Sequence, residues 1–169
     1  MTQQQQSKSK KDDWQTPDRV LEPLWKTTGI DMDPCAGEDT EIGDINVTED
    51  VDGLSIPWEG SVFVNPPYSD KKTWIERCVE EYRRSPVDRV YLLTPDSTDV
   101  ISWWHDKIAR HAEWSVFFES RVKFYDPHEG EVKGSPPNGS ALHIFGEVPD
   151  VTLRQLAKEG DVVRRPRFL

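Results

Sequence analysis

Residues 61–68 read Ser-Val-Phe-Val-Asn-Pro-Pro-Tyr, a short apolar run that ends in an amide, two prolines and an aromatic ring. The run at 62–64 predicts a buried strand, because a few apolar residues bounded by turn residues are typical of a strand inside a sheet. Pro66 and Pro67 end the strand, since proline cannot donate to the hydrogen-bond ladder. The stretch therefore predicts a central strand that carries a rigid loop at its carboxyl end.

The segments on either side alternate between helical and extended patterns. Residues 70–85 predict a helix that Asp70 can cap, and 99–109 predict another. An earlier helix has Pro17 in its first position and Thr16 as its cap, and it ends at Gly29. Further strands are predicted at 30–32, 45–47, 89–93, 114–118, 122–125 and 141–145, with a loop at 126–139.

This alternation indicates an α/β fold: a Rossmann-like, mainly parallel sheet flanked by helices. Ligands of such sheets bind at the carboxyl ends of the strands. Residues 33–37 and 65–68 both follow predicted strands, so we expect both stretches at that edge of the sheet.

The length of 169 residues corresponds to about one domain. Residues 1–13 are rich in Gln, Ser and Lys and predict a disordered tail, and 14–169 predict a single domain. The sequence contains no apolar run of membrane-spanning length and no secretory signal. Cys35 and Cys78 are too few for a disulfide framework, so we expect a reduced, cytoplasmic protein.

The chain carries 31 acidic and 21 basic residues, a net charge of −10. This sign opposes binding to DNA phosphates, although a local groove can be positive on an acidic body. Basic residues cluster at 8–11, 83–84 and 164–167, each of which alone reads as a solvated tail or helix end. The acidic surface can also be explained by adaptation to high salt, where acidic residues keep the chain soluble.

The loop at 65–68 suits a planar amino group. Asn65 and the Pro66 carbonyl provide two acceptors for two N–H bonds, Pro67 stiffens the loop, and Tyr68 offers a ring for stacking. Accepting both hydrogens draws such a nitrogen toward tetrahedral geometry and frees its lone pair for attack. The loop therefore predicts chemistry on an adenine N6 or an amide nitrogen.

Other arrangements fail on spacing. Asp31 and Asp33 have no convincing third acid for a metal pair, and Asp31 reads as structural. His105 and His111 do not share a helical face. We therefore predict no metal site, and a nuclease is the remotest option. Trp103 and Trp104 read as a core and rim pair rather than a base-stacking platform.

A longer series of motifs resembles phage-type (Dam-like) DNA N6-adenine methyltransferases, which use S-adenosylmethionine (SAM). The resemblance covers about residues 14–146 and rests on these stretches: WQTP at 14–17, DMDPCA at 31–36, DGL at 52–54 with Trp58, NPPYS at 65–69 with Trp74, LLTP at 92–95, Trp104-His105, SRVKF at 120–124 and SAL at 140–142.

The resemblance implies site residues as well as a reaction. Catalysis falls to Asn65, Pro66, Pro67 and Tyr68. Cofactor contacts fall to Thr16, Pro17, Asp33, Pro34, Cys35, Ala36 and Asp50, with Glu49 and Asp52 as alternative ribose acids. DNA contacts are predicted at Ser69, Lys71, Arg121 and Lys123, and an ion pair is an equal alternative for Arg121. Residues 33–37 contain one glycine and lack G-x-G-x-x-G, which argues against NAD or FAD more than against SAM.

The predicted partner is double-stranded DNA, and the resemblance implies protection of a viral genome from restriction. Release-factor glutamine methyltransferases and some RNA base methylases carry a similar N-P-P-Y motif and remain alternatives. A non-catalytic SAM-fold DNA-binding protein is a further alternative, although the intact motif at 65–68 argues against it.

Overall fold

Seven strands form one sheet in the computed structural model, which describes residues 14–84, 86–126, 130–131 and 137–165. The strands of this sheet are β1 Met32–Asp33, β2 Ile45–Asn46, β3 Gly60–Val64, β4 Val87–Pro95, β5 Trp114–Phe118, β8 Ser140–Phe145 and β9 Gly160–Arg164. Their order is β2-β1-β3-β4-β8-β5-β9. A separate pair consists of β6 Tyr125–Asp126 and β7 Gly130–Glu131.

Most strands of this sheet run in one direction. β1 pairs with β2 and β3 in parallel, and β3 pairs with β4 in parallel. β8 is antiparallel to both β4 and β5, so β5 runs with the first four strands, while β9 runs against β5. The predicted α/β fold with a mainly parallel sheet is confirmed. The carboxyl ends of β1 to β5 consequently meet at one edge.

Helices cover both faces of the sheet. The helical segments are α1 Asp18–Trp25, α2 Lys71–Tyr82, a π-helix Ile101–Ile108 that continues into α3 Ala109–His111, and α4 Asp150–Leu156. Alternate residues of β4 serve the two faces, as the strand period of two requires. Val90 and Leu92 pack in the core under α2 and the π-helix, whereas Tyr91 and Leu93 pack in the core under α1.

Several boundaries differ from the prediction. Residues 122–124 are not a strand: Val122 and Phe124 are buried, but only Tyr125 pairs, as β6 and in a bridge to Gln15. α4 and β9 were not predicted, because both are short and largely polar. The predicted helix at 99–109 exists but is mostly of π type.

The two predicted caps are also different. α1 begins at Asp18 with Pro17 in the N-cap position, so Thr16 does not cap it. Asp70 occupies the N-cap position of α2 without bonding a backbone amide, and its carboxylate accepts the Thr73 hydroxyl instead. Gly29 does end the first helical segment, with φ of 71°.

Part of the prediction falls outside the described residues. This applies to the tail at 1–13, with the basic residues at 8–11, and to most of the loop at 126–139. No helix in the described part of the chain is long and apolar enough to cross a membrane.

Candidate active site

The loop at 65–68 leaves the carboxyl end of β3 and is held by the segment that precedes α1. Asn65 Nδ2 donates to Thr16 Oγ1 at 3.2 Å and to the Trp14 carbonyl at 3.4 Å. A carbonyl can only accept, so the amide nitrogen must face it, and Asn65 Oδ1 is turned to the opposite side. Asn65 therefore presents an oriented acceptor.

The two prolines are placed differently. The Pro67 carbonyl accepts the Asp70 amide at 3.2 Å and so belongs to the turn into α2. Among the described residues, no backbone amide donates to the Pro66 carbonyl. The second predicted acceptor is thus not used by the backbone of the loop itself.

A small cavity lies beside this loop. It is lined by residues of the loop at 65–68, of α2, β4 and β8, and of the segment before β6: Asn65, Pro66, Tyr68, Lys71, Leu93, Thr94, Pro95, Phe124 and Ser140. Its volume is about 10 Å³, room for about one water molecule. A planar base needs more space than this, so side chains at the mouth must move before one can enter.

Tyr68 and Lys71 form that mouth. Tyr68 is 45% exposed, and the Lys71 ammonium lies 5.9 Å from the centre of its ring. The same ammonium is 5.9 Å from the Trp103 ring, which is buried. A long lysine over two aromatic faces is held only weakly and can swing away. Tyr68 and Lys71 are therefore the side chains that a ligand would displace.

Asp33 ends β1, and the structure buries it. Its side chain is 3% exposed, and its Oδ1 accepts the Cys35 amide at 2.9 Å. Burial raises the pKa of Asp33 to about 7, although the Cys35 amide opposes the shift. A carboxylate in this setting has much to gain from a cation such as an ammonium group.

The turn after β2 adjoins Asp33. The Val47 amide donates to the Asp33 carbonyl at 2.8 Å, and Val47 O accepts the Ala36 amide at 3.1 Å. Asp50 follows in an exposed turn closed by Val51 and Thr48. Asp52, at φ of 60°, accepts its own turn's Leu54 amide. Its carboxylate thus serves the turn, which favours Glu49 or Asp50 over Asp52 at the ribose.

Gly53 packs directly against the loop at 33–37 and is held there by Trp58. A Cβ on Gly53 would lie 1.8 Å from the Pro34 carbonyl oxygen, so only glycine fits against the loop at 33–37. Trp58 Nε1 donates to the Gly53 carbonyl at 2.8 Å. The Trp58 amide in turn donates to buried Glu81 on α2 at 2.9 Å. These contacts fix the wall of the candidate cofactor site to the body of the protein.

Asp31 is structural, as predicted, whereas the tryptophans predicted as a core and rim pair both lie in the core. The Asp31 carboxylate accepts the Ser61 amide at 2.6 Å and joins the β1 side to β3. Trp103 and Trp104 are each 5% exposed and belong to the core. Both roles are structural.

A buried histidine behind the cavity was not predicted. His143 on β8 contacts Thr94 through Nε2 at 3.1 Å and Ser115 through Nδ1 at 2.9 Å. Burial, with a smaller contribution from Arg165, lowers the pKa of His143 to about 3, so the ring is neutral. Since Thr94 lines the cavity, this network fixes one of its walls. A lone histidine in the apolar run SALHIF was the available signal.

The sequence predicts a solvated tail for the basic residues at 164–167, but Arg165 packs against the protein. Its guanidinium lies 4.4 Å from the centre of the Trp104 ring and donates to Ser115 Oγ at 3.2 Å. Arg164 lies 5.3 Å from the centre of the Trp114 ring. Both arginines therefore pack against the protein body.

The predicted DNA residues fall into two groups. Ser69 and Lys71 adjoin Tyr68 at the mouth of the cavity. Arg121 and Lys123 instead line a groove of about 760 Å³ beside Thr16 and Pro17. Within the described residues, no three His, Cys, Asp or Glu side chains are grouped so that they could hold a metal ion.

The order of the sheet, with an acid after β1 and an amide-proline-proline-tyrosine loop after β3, defines the class of protein. It is consistent with the fold of SAM-dependent methyltransferases. The chain belongs to the DNA N-6-adenine-methyltransferase (Dam) family, whose model matches residues 3–161, nearly the whole chain. No curated protein matches the sequence. The protein is accordingly a transferase, a DNA N6-adenine methyltransferase, and this membership favours DNA over the protein and RNA alternatives.

Proposed function

We propose that this enzyme methylates the N6 amino group of an adenine flipped out of double-stranded DNA, using SAM and the loop at 65–68. The observation that carries the proposal is the oriented Asn65 amide, with Oδ1 turned away from Trp14 and Thr16. Two acceptors are needed for the two N6 hydrogens, and the Pro66 carbonyl supplies the second. Tyr68 is exposed enough to stack on the base.

The residues near β1 and β2 fit SAM. Asp33 would meet the positive amino group of its methionine part, and Pro34, Cys35 and Ala36 form the turn that presents this acid. Asp50 in the turn after β2 would accept the ribose hydroxyls. Thr16 contacts Asn65, and Pro17 follows it in the chain, so these two residues adjoin the loop at 65–68. The two carboxylates, as hydrogen-bond acceptors, suit a ligand that has one ammonium group and one sugar diol.

When bound, SAM supplies an activated methyl group on a sulfonium. The work of the chain is then positioning and electrostatics. Asn65 Oδ1 and the Pro66 carbonyl hold the N6 hydrogens and direct the nitrogen lone pair. Pro67 keeps the loop rigid, and the neutral His143 network holds Thr94 behind the cavity. No strong base is required, because the methylated nitrogen is acidic and loses its proton readily.

A pair of variants tests the role of Asn65. Asn65→Ala removes the oriented acceptor, so we expect methyl transfer to fall at least 100-fold, in line with loss of one transition-state hydrogen-bonding group. SAM affinity measured by calorimetry should stay within about twofold. The matched control is Gln155→Ala, which removes a side-chain amide on α4 that bonds Lys158 away from the cavity. Turnover retained by Asn65→Ala would refute the assignment.

We propose further that the enzyme is phage-encoded and protects a viral genome from restriction. The support is the resemblance of the motif series at 14–146 to the phage-type branch of the family. Expression in a host that lacks adenine methylation should make a co-resident plasmid resistant to restriction enzymes that N6-methyladenine blocks. A plasmid that stays sensitive while carrying the modification would oppose a protective role at those sites.

A further inference from the structure

The large groove next to the cavity is formed by the start of α1 and the segment at 119–125. It holds about 760 Å³ and is lined by Gln15, Thr16, Pro17, Asp18, Arg19, Glu119, Ser120, Arg121, Lys123 and Tyr125.

The segment at 121–125 presents a row of three side chains to the groove. Exposure alternates along it: Val122 and Phe124 are buried in the core, whereas Arg121, Lys123 and Tyr125 face outward. In an extended chain, alternate residues lie about 6.6 Å apart on the same side. The two apolar anchors therefore fix two cations and one aromatic ring in a line.

The groove leads directly to the candidate active site. Gln15 and Tyr125 bond each other through both backbone amides, at 2.9 and 3.0 Å. The next residue, Thr16, contacts Asn65, and Phe124 lines the small cavity. The wall of the groove and the support of the catalytic amide are thus the same strip of chain.

The charge of the groove differs from that of the whole molecule. Three cations line it against two acids, Asp18 and Glu119, in a chain with a net charge of −10. Arg19 is half-buried; it donates to Ser120 at 2.8 Å and pairs with Glu159 at 3.3 Å. Arg121 and Lys123 are the exposed cations of the groove, so an incoming phosphate can reach them.

We propose that this row guides the DNA strand that carries the target adenine: Arg121 and Lys123 contact its phosphates, and Tyr125 stacks on a base next to the flipped one. The inference rests on the proposed function and adds to it the path of the strand and the role of Tyr125. Phosphate contacts give sequence-independent affinity, while aromatic stacking suits bases that have left the helical stack.

Salt-dependent binding tests the phosphate contacts. The probe is a fluorescein-labelled duplex of mixed sequence, followed by anisotropy with SAM's demethylated product present. Arg121→Ala/Lys123→Ala should weaken binding and reduce the slope of log affinity against log salt by about two, since each phosphate contact contributes about 0.9. Lys26→Ala/Arg110→Ala removes the same charge at the opposite edge of the sheet, where both side chains pair with acids. This control should leave the slope unchanged.

A second probe tests Tyr125: a duplex in which one adenine faces an abasic site and is already unstacked. Tyr125→Ala should lose about tenfold or more in affinity, the value of one stacked base, while Tyr125→Phe keeps the ring and binds like the wild type. Equal losses in Tyr125→Ala and Tyr125→Phe would overturn the stacking role.

The outcomes separate the path of the strand from the reaction itself. If the wild type methylates adenine but the Arg121/Lys123 variant binds with an unchanged salt slope, the row does not contact phosphates. The proposed function then still stands. If the wild type transfers no methyl group to adenine, the proposed function fails, whatever the slope shows. A slope change equal to that of the Lys26/Arg110 control would also contradict the proposed phosphate contacts of the row, because it would reflect net charge alone.

Discussion

The Thr16 hydroxyl lies where the cofactor and base sites meet. The sequence predicts a helix cap and a cofactor contact for this residue, whereas its oxygen accepts from the Asn65 amide at 3.2 Å. An amide that loses this partner can rotate and expose its nitrogen to the base. Thr16 is therefore a positioning residue for the acceptor.

Replacing Thr16 by Val tests this role. We expect kcat at saturating SAM to fall about 2- to 12-fold, the value of one net hydrogen bond of about 0.5–1.5 kcal/mol. Thr16→Ser keeps the oxygen and should recover most of the rate. If Thr16→Val weakens only SAM binding and leaves kcat unchanged, the hydroxyl serves the cofactor alone.

Asp33 predicts a pH dependence. Its pKa is raised to about 7 by burial, so below neutral pH the carboxyl is largely protonated in the free enzyme. SAM binding that needs the anion should weaken about tenfold per unit as pH falls below 7. Calorimetry between about pH 5.5 and 8.5 measures this, and a flat profile would remove Asp33 from the cofactor amine.

The raised pKa of Asp33 also affects the stability of the fold, which falls with rising pH whereas SAM affinity rises. A folded-state pKa above the unfolded value means that the folded protein holds more protons between about pH 4 and 7, so stability falls as pH rises through that window. Asp33→Asn has no charge to bury, so at pH 8 it should melt at a higher temperature than the wild type. At pH 4, where the wild-type carboxyl is protonated, the two proteins should melt at the same temperature. Each kcal/mol is worth about 2–4 °C at this size. A lower melting temperature at pH 8 would show that the anion is stabilised inside the fold.

At the scale of elements, the loop at 52–58 supports the cofactor loop. Gly53→Ala would place a methyl group 1.8 Å from the Pro34 carbonyl oxygen, so the two loops must separate. We expect SAM affinity to fall at least tenfold. Gly29→Ala is the control: it strains a residue at φ of 71° with open space around it, so it should cost stability and spare SAM binding. Equal SAM affinities in both variants would contradict the coupling of the loops.

The sequence predicts elements well where burial is continuous. The apolar runs of β3, β4, β5 and β8 were found because both faces of these strands are covered, and α2 was found from its apolar stripe. α4 and β9 were missed because their burial depends on packing against α1 and β5. Residues 121–124 alternate like a strand but pair with no strand in the part of the chain that the structure describes.

The same contrast applies to the site. The positions of Asn65 and Asp33 at strand ends follow from the order of elements, so sequence reasoning could find them. The Trp14–Thr16–Asn65 contact and the position of His143 behind Thr94 join segments far apart in the chain. No local pattern encodes such distances, so only the fold brings them into view.

At the scale of the whole molecule, the strand order arranges the proposed functions along one edge of the sheet. The candidate cofactor residues follow β1 and β2, the loop at 65–68 follows β3, the small cavity extends to β4 and β8, and the groove lies beyond β5. The strip at 14–17 joins these sites, because Thr16 contacts Asn65 and also lines the groove.

The net charge of −10 predicts a response to salt. Repulsion among surface acids destabilises the compact state, and added salt screens it. We expect the melting temperature to rise between low and molar salt while DNA affinity falls, because releasing counterions from the DNA gains less free energy at higher salt. Thermal melts and anisotropy on the same preparation measure both quantities. A melting temperature that is highest at low salt would contradict an adaptation to high salt.

The central claim is tested most directly by a methyl-transfer assay on unmethylated double-stranded DNA with labelled SAM, followed by digestion to nucleosides and mass spectrometry. Our account predicts label in N6-methyladenine from the wild-type enzyme and at least 100-fold less from Asn65→Ala. Label in another base, or no label in DNA although SAM binds, would contradict it.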